Sequence, residues 1–483
     1  MNTDIRARWL ALVVLCLGSF MIVLDTTIVN VALPSIRADL GFTESSLAWV
    51  INAYMLFFGG FLLLGGRLGD LFGHRRLFLG GIAVFTVASL CGGLASSRET
   101  LVLARAAQGL GGAVASATGL SLIMTLFTDQ AERTKAMGVV GFVSAGGGSV
   151  GVLLGGILTS VLGWHSVFLV NIPIGIAVGV LSLRLVPATN GFVSNTRLDV
   201  GGAVTVTASV MTAVYAIVNG NEAGWTSGQT LGLLGGAAIL FALFVAIEAR
   251  VSDPLMPLEL FAQRNLATAN VMGVLWAAAM FAAFFLSALY LQLVLGYTPL
   301  QVGLAFLLGN LLMAVFSVSL SAKLVMRFGI KRPLGIGLAL AGAGIVLLVR
   351  APIDGNYLVD VLPSMLLIGL GAGIAFNPML LAAMTEVRPE QAGLASGMVN
   401  TSFMLGGALG LAILASIASA TTSTALVAGA PAVVALTQGY HTAFAVGAAF
   451  AFLAAILGLR ALRIAEPAAD EDSEVMTIAA AAD

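Results

Sequence analysis

Two ionisable residues lie inside apolar runs long enough to cross a membrane. Asp25 sits within Leu24-Asp25-Thr26-Thr27-Ile28-Val29-Asn30-Val31-Ala32-Leu33-Pro34, and Arg105 within Leu101-Val102-Leu103-Ala104-Arg105-Ala106-Ala107-Gln108-Gly109. Placing either charge at mid-bilayer costs roughly 2.5–3.5 kcal/mol even on the most lenient insertion scale. Only 9% of the residues are charged, so a chain that avoids ions this thoroughly keeps these two for a use. The chemistry open to them is proton exchange. Burial strengthens a carboxylate's hold on a proton and a nearby guanidinium weakens it, so rearranging the two loads or releases one. A static ion pair, or an arginine snorkelling to the interface, is the alternative, and the spacing alone does not bring the two together.

A second constellation is Gly66-Arg67-Leu68-Gly69-Asp70-Leu71-Phe72-Gly73-His74-Arg75-Arg76. It separates the apolar runs Trp49 to Leu64 and Leu77 to Leu94, is too short for a domain and too ionic for lipid, and therefore reads as a tight cytoplasmic hairpin. Asp70 and Arg75 are placed to form an ionic latch between helix ends, with Arg76 beside them. A degraded copy follows 256 positions later as Lys323-Leu324-Val325-Met326-Arg327-Phe328-Gly329-Ile330-Lys331-Arg332. Two copies of one loop, each after the second span of its half, imply repeats of like orientation. Gly147, Gly151 and Gly155 recur at four-residue spacing, which lets another helix backbone approach closely. Gly393, Gly397, Gly406, Gly407 and Gly410 do the same later in the chain. His74, His165 and His441 are scattered at span ends and make no metal set. No nucleotide loop of the form G-x-x-x-x-G-K-S/T is present, so nothing supports ATP drive within the chain.

The elements that must hold these residues follow from composition. The chain has 483 residues, 59% of them hydrophobic, and a mean hydropathy of +1.03. Soluble domains carry about 25% charged residues. In lipid every backbone polar group must be satisfied internally, which leaves helices or a closed barrel. Uninterrupted apolar runs without alternation select helices. The reading is an all-α membrane protein of fourteen spans: 9–31, 48–66, 77–96, 101–127, 136–160, 165–186, 199–219, 230–249, 266–292, 299–321, 333–350, 359–384, 393–421 and 440–462. Eighteen arginines and lysines fall in one set of connections and the termini, against Arg37, Arg98 and Arg350 in the other set. That bias puts both termini in the cytoplasm. The organisation is a six-helix bundle (1–186), a stretch of linkers with two additional helices (187–265), a second six-helix bundle (266–463) and an acidic, disordered tail (464–483). The uncharged segment 422–439 fits either a surface helix or a short hairpin. Cys16 and Cys91 read as small buried residues within spans.

Together these features resemble the fourteen-helix drug:proton antiporter family of the major facilitator superfamily, over nearly the whole chain. Gly66-x-Leu68-Gly69-Asp70-x-x-Gly73-His74-Arg75-Arg76 is similar to the loop motif after helix 2. Arg105-x-x-Gln108-Gly109 is similar to the helix 4 motif, whose arginine the family implicates in proton transfer. The run from Leu24 to Pro34 resembles the first-helix signature, and Trp164 through Phe168 to Asn171-Ile172-Pro173-Ile174-Gly175 resembles the opening of helix 6. The departures are Val152 where the helix 5 motif has proline, His74 where the loop motif has arginine, Phe403-Met404 in place of a polar pair, and Met326 in place of the second loop's aspartate. The resemblance implies two parallel-repeat bundles rocking about a midplane cavity, with proton-driven export of lipophilic small molecules. Asp25 would take the proton from outside, tuned by Arg105. The cavity is expected to use Asn30, Trp276, Phe284, Phe285, Tyr290, Asn310, Asn377 and Asn400. No cofactor, metal or nucleic acid is expected. The partners would be substrate, protons and lipid, and the protein a monomer in a bacterial plasma membrane. A proton symporter importing a metabolite, and a non-transporting membrane sensor or scaffold, are the competing readings.

Overall fold

The computed structural model describes residues 5–188, 198–388 and 391–463. The link residues Asn190, Gly191, Ser194, Asn195 and Arg197, and the acidic tail, lie outside the described residues. Fourteen helices among the described residues are long and apolar enough to cross a membrane. They are α1 (Ile5–Leu40), α2 (Trp49–Phe72), α3 (His74–Gly93), α4 (Arg98–Leu126), α5 (Gln130–Leu162), α6 (Asn171–Leu185), α7 (Val200–Ala223), α8 (Gly228–Glu248), α9 (Arg264–Leu289), α10 (Pro299–Ser319), α11 (Lys331–Leu348), α12 (Leu362–Met384), α13 (Ala392–Val427) and α14 (Ala432–Arg460). An even number of crossings returns the chain to the face it started from. That face is called the termini side below and the other the far side.

Helix ends follow local chemistry. Ser97, Asp199 and Ser227 each accept a hydrogen bond from a first-turn amide, and Thr298 with Gln301 forms a capping box ahead of Pro299. In the repeated loop, Gly73 and Gly329 both take positive φ, +92° and +73°. A side chain is strained there, so glycine lets the chain reverse within a residue or two. Several helices run past their expected ends, and two of these extensions matter. The first helix runs on through Pro34 to Leu40, and 422–439 is a hairpin, because α13 and α14 continue through it and turn at Ala428–Pro431. Cys16 is buried as expected, whereas Cys91 is exposed on α3.

The first six and last six helices pair in the same way. α1 packs on α5 as α9 packs on α13, α2 on α4 as α10 on α12, and α3 on α4 as α11 on α12. Glycines set the last of these seams in both halves. A Cβ on Gly81 would stand 2.7 Å from the carbonyl oxygen of Gly111, and one on Gly337 would stand 2.7 Å from that of Gly371. Gly81 and Gly337 are separated by the same 256 positions as the two loops. The halves meet along α2 with α13 and α5 with α10, each pairing the second helix of one half with the fifth of the other. The additional pair, α7 and α8, packs on itself and, through α7, on α2 and α13. Asn221 of α7 donates to the Ser416 carbonyl at 2.8 Å.

On the far side the halves are closed. Gln292 donates to the Val31 carbonyl at 3.0 Å, and Ser160 Oγ accepts from the Leu300 amide at 3.2 Å. A Cβ on Gly156 would stand 2.8 Å from the Pro299 carbonyl oxygen. Nearer the termini, Gly138, Gly141 and Gly146 of α5 meet nothing within 4 Å. α5 and α10 thus close at the far end and give no such backbone contact toward the termini. Overpacking a helix seam costs about 1–3 kcal/mol, so Gly81→Val and Gly337→Val should each lower the thermal unfolding midpoint in detergent. Gly80→Val, at a position with open space around it, should leave the midpoint unchanged.

Candidate functional site

Asp25 and Arg105 meet in the interior of the first six helices. Arg105 Nη1 lies 2.5 Å from Asp25 Oδ2, and the two residues are 0% and 1% exposed. Every other polar neighbour completes the pair. Asp25 Oδ1 accepts from Gln108 Nε2 at 3.0 Å and from Asn171 Nδ2 at 2.9 Å. Arg105 donates through Nε to the Val50 carbonyl at 2.8 Å and through Nη1 to Gln108 Oε1 at 2.9 Å. Gln108 Nε2 also reaches Ser89 Oγ at 2.8 Å. The Tyr54 ring lies with its centroid 4.4 Å from the guanidinium carbon, and Phe168 lies 5.9 Å away on the same group. Residues from α1, α2, α3, α4 and α6 are thus linked in one network around the ion pair.

Local sequence explains the placement. Arg105 and Gln108 are three residues apart, so they share a face of α4. Arg105, Val50 and Asn171 all lie within the first turns of helices that begin on the far side, which sets the pair in the far half of the bundle. Asp25 is fixed by the seam behind it. Cβ atoms on Gly147, Gly151 and Gly155 would stand 3.2 Å from Val23 Cγ1, 3.0 Å from the Leu24 carbonyl oxygen and 2.6 Å from the Ile28 carbonyl oxygen. The three glycines therefore grip α1 on both sides of Asp25. Val152, in the place of a proline, leaves its carbonyl oxygen 2.5 Å from the Cβ position of Gly303 in α10.

Toward the termini from this pair lies a cavity of about 250 Å³. Ser19, Ile22, Val23 and Thr26 of α1 line it with Tyr54 and Phe58 of α2, Ser116, Leu120 and Ile123 of α4, Val140 of α5 and Met404 of α13. No charged side chain is among them. Ser19 and Thr26 return their hydroxyls to their own helix, while the Tyr54 hydroxyl is buried without a partner. Tyr54 belongs to both places, its ring on Arg105 and its side chain in the cavity wall.

The expected cavity residues lie elsewhere. Trp276 and Phe285 are core residues of the second half, and Tyr290 donates to the Pro352 carbonyl. Asn30 and Asn400 bond carbonyls of their own helices, Asn377 bonds Ser317 across to α10, and Asn310 is buried. Phe284 borders only a void of about 10 Å³ with Met365 and Ile368, and packs on Phe306. Amides in a helix are readily satisfied by the carbonyl four residues back, so their presence does not mark a cavity. Asp25 itself is not in the cavity wall, contrary to a scheme in which proton and substrate compete for it directly.

In the loop after α2, Asp70 faces His74, 3.4 Å from Oδ1 to Nε2, and not Arg75. Arg75 donates to the Leu183 carbonyl of α6. The four-residue step from Asp70 to His74 crosses Gly73, and the reversal there turns His74 back onto α2, where it also packs on the Gly69 backbone. Gly66 meets only Ala117, and Arg76 is exposed.

Fourteen membrane-length helices, two alike-paired sets of six closed on one face, and an uncharged cavity beside a buried ion pair give the chain the architecture of a multi-pass membrane transporter. The family model of the Major Facilitator Superfamily matches residues 15–411, and the chain belongs to that superfamily. It is 39% identical to the puromycin resistance protein pur8 of Streptomyces alboniger, over 96% of this chain and 93% of that one. It is also 39% identical to the cephamycin export protein CmcT of Amycolatopsis lactamdurans, over 92% and 91%. The lincomycin resistance protein of Streptomyces lincolnensis is 37% identical over 85% of each chain. The crystal structure of an auto-inhibited POT family peptide transporter superposes with a TM-score of 0.69, covering 96% of this chain and 99% of that chain at 17% identity, a likeness of fold.

Removing one partner of a buried pair strands the other's charge, at about 3–5 kcal/mol. Arg105→Ala and Asp25→Asn should therefore both lower the unfolding midpoint, because each leaves the other residue buried without its charged partner. The double variant Asp25→Leu with Arg105→Met should recover most of the loss; thermal melts of the three purified proteins decide.

Proposed function

We propose that this protein exports lipophilic small molecules of the antibiotic class in exchange for protons, by alternating access between its two halves. The observation that carries the reading is the division of the first bundle: a fully buried carboxylate–guanidinium pair in the far half, and an uncharged cavity in the termini half. The printed names of the relatives, two of resistance proteins and one of an export protein, point the same way. The termini side is taken as cytoplasmic on the strength of its arginines and lysines, so the conformation described is the inward-facing one.

In this scheme substrate enters the cavity from the cytoplasm or inner leaflet and is held by shape, by apolar contact and by the Tyr54 hydroxyl. Asp25 is ionised, with three donors on it. Opening of the far side exposes the pair to the outer medium, where a proton reaches Asp25 and frees Arg105 from it. The altered pair no longer holds α1, α4 and α6 as before, and return to the inward state releases the proton inside. Because Thr26 and Ile22 of α1 line the cavity while Asp25 stands between them on the helix, substrate and proton act on one rigid element without sharing a site. One proton moved through 100 mV supplies about 2.3 kcal/mol, enough for a roughly 50-fold gradient of a neutral substrate at tenfold per 1.4 kcal/mol. The additional helices α7 and α8 lie outside the two repeats and serve as an accessory pair.

Asp25→Asn keeps the shape of the site and removes the titratable group. Everted vesicles carrying the wild type should accumulate puromycin or a lipophilic dye when a pH gradient is imposed. Those carrying Asp25→Asn at equal expression should lose at least tenfold of the gradient-driven component. Undiminished gradient-driven uptake in the variant would sink the assignment of Asp25.

A further inference from the structure

Asp199 and Glu248 are the only other acidic side chains buried among the described residues, at 5% and 3% exposure. They stand at the termini-side ends of the additional helix pair. Asp199 caps α7, its Oδ1 accepting from the Gly202 amide at 2.7 Å. Glu248 ends α8, its Oε2 accepting from the Met256 amide at 3.1 Å in the link that leads to α9. The remaining oxygens, Asp199 Oδ2 and Glu248 Oε1, have no donor. Both converge on one point, since a Cβ on Gly202 would stand 2.5 Å from the first and 2.7 Å from the second. The two oxygens without donors therefore face the same point from neighbouring positions.

Among the described residues no cation pairs with either carboxyl, Arg250 of the link included. Leu64 and Leu68 of α2, Ala203 of α7, and Leu198 and Leu255 of the flanking links form the apolar cluster beside them, and Ile247 of α8 packs against Gly201. Arg67 and Asp70 on α2 and Asp253 on the link belong to the packed elements but make no hydrogen bond or ion pair with either carboxyl. Two carboxylates sharing such a site cannot both ionise, and a protonated carboxyl becomes the missing donor.

We propose that Asp199 and Glu248 bind a single proton between them, a second protonation site separate from Asp25 and Arg105, which latches the additional helix pair to the link entering the second bundle. The proton completes an unbroken chain of hydrogen bonds from the Gly202 amide through both carboxyls to the Met256 amide. Its departure to solvent leaves two facing carboxylates, and the bond to Met256 is the one a short movement of the link relieves. A metal cation in the same place is disfavoured by ligand number. Hard cations such as calcium take six or more oxygens, and no cluster of three candidate ligands exists among the described residues. The folded chain holds this proton where the unfolded chain has lost it, so stability falls as pH rises through its release.

The test uses the full chain in lipid nanodiscs. Difference infrared spectra on raising the pH should show loss of a protonated-carboxyl carbonyl band that is absent from both Asp199→Asn and Glu248→Gln and retained in Asp25→Asn. The wild-type melting midpoint should fall with rising pH, whereas Glu248→Gln, whose amide donates at every pH, should show no such fall. Spectra of Asp199→Asn and Glu248→Gln that still lose the wild-type band would overturn the proposal. So would a wild-type midpoint raised by Na⁺ or Ca²⁺ and indifferent to pH, a measurement that does not depend on either variant folding.

Discussion

A charge inside an apolar bundle must be answered by other buried groups, and the first half of this protein is arranged around one such answer. Asp25 draws Arg105, Gln108 and Asn171 onto itself, and Arg105 reaches on to the Val50 carbonyl. Helices from four other positions in the bundle are thereby tied to α1 at one level. An unsatisfied polar group in lipid costs several kcal/mol, so none of these helices can rotate or slide alone without exposing a penalty at this point. Apolar packing supplies most of the contact in the bundle, but packing in lipid is not directional. The ion pair and its donors specify which helix faces which.

The glycine seams have the opposite character. Gly147, Gly151 and Gly155 bring α5 against α1 by close contact, the hydrogen-bonded tie between these helices being Arg8 to Glu132 near the termini side, and Gly156 with Gly303 brings α5 against α10 across the two halves. A seam of small residues holds by close contact and yields along its length. α5 therefore joins a polar, position-locked element to a smooth interhalf surface. That combination lets one half tilt on the other while the carboxylate stays with its partners, as rigid-body rocking about a fixed site requires.

How much of this was legible beforehand follows from what each signal costs. Asp25 and Arg105 stood out because charge in an apolar run is expensive, and the fourteen spans because lipid demands about 20 apolar residues per crossing. The repeat could be read from the loop copies, and the Gly81 and Gly337 seams carry it into the packing. What could not be read was anything that depends on side-chain direction. Tyr54 and Ser89 are ordinary span residues until α4 is placed beside them. Asn171 lay within a quoted motif but had no visible duty until the fold brought α6 to α1. The amides expected in a cavity are absent from the wall of the one beside the ion pair, and Asn30 and Asn400 bond carbonyls of their own helices. The cavity beside the ion pair is lined by hydroxyl-bearing and aliphatic residues with Tyr54, Phe58 and Met404, a mixture with no compositional signature. In the loop, Asp70 and Arg75 had suitable charges, but the reversal at Gly73 gives Asp70 to His74 and sends Arg75 to α6.

The separation of the ion pair from the cavity bears on what kind of exchange this geometry permits. Competition for a single carboxylate would require substrate to touch Asp25, yet Tyr54 lies between the guanidinium and the cavity and Asp25 is fully covered. In the proposed exchange, coupling is then a difference in conformational preference: each ligand shifts the balance of inward and outward states by its unequal affinity for them, and the effects are reciprocal. Such coupling is indifferent to the substrate's charge and shape so long as the cavity can hold it in one state better than in the other. A wall without ions, with the hydroxyls of Ser116 and Tyr54 and a flexible Met404, makes few demands on what it holds. In the proposed exchange, breadth of substrate and dependence on protons are compatible because the cavity wall and the ion pair use different faces of the same helix.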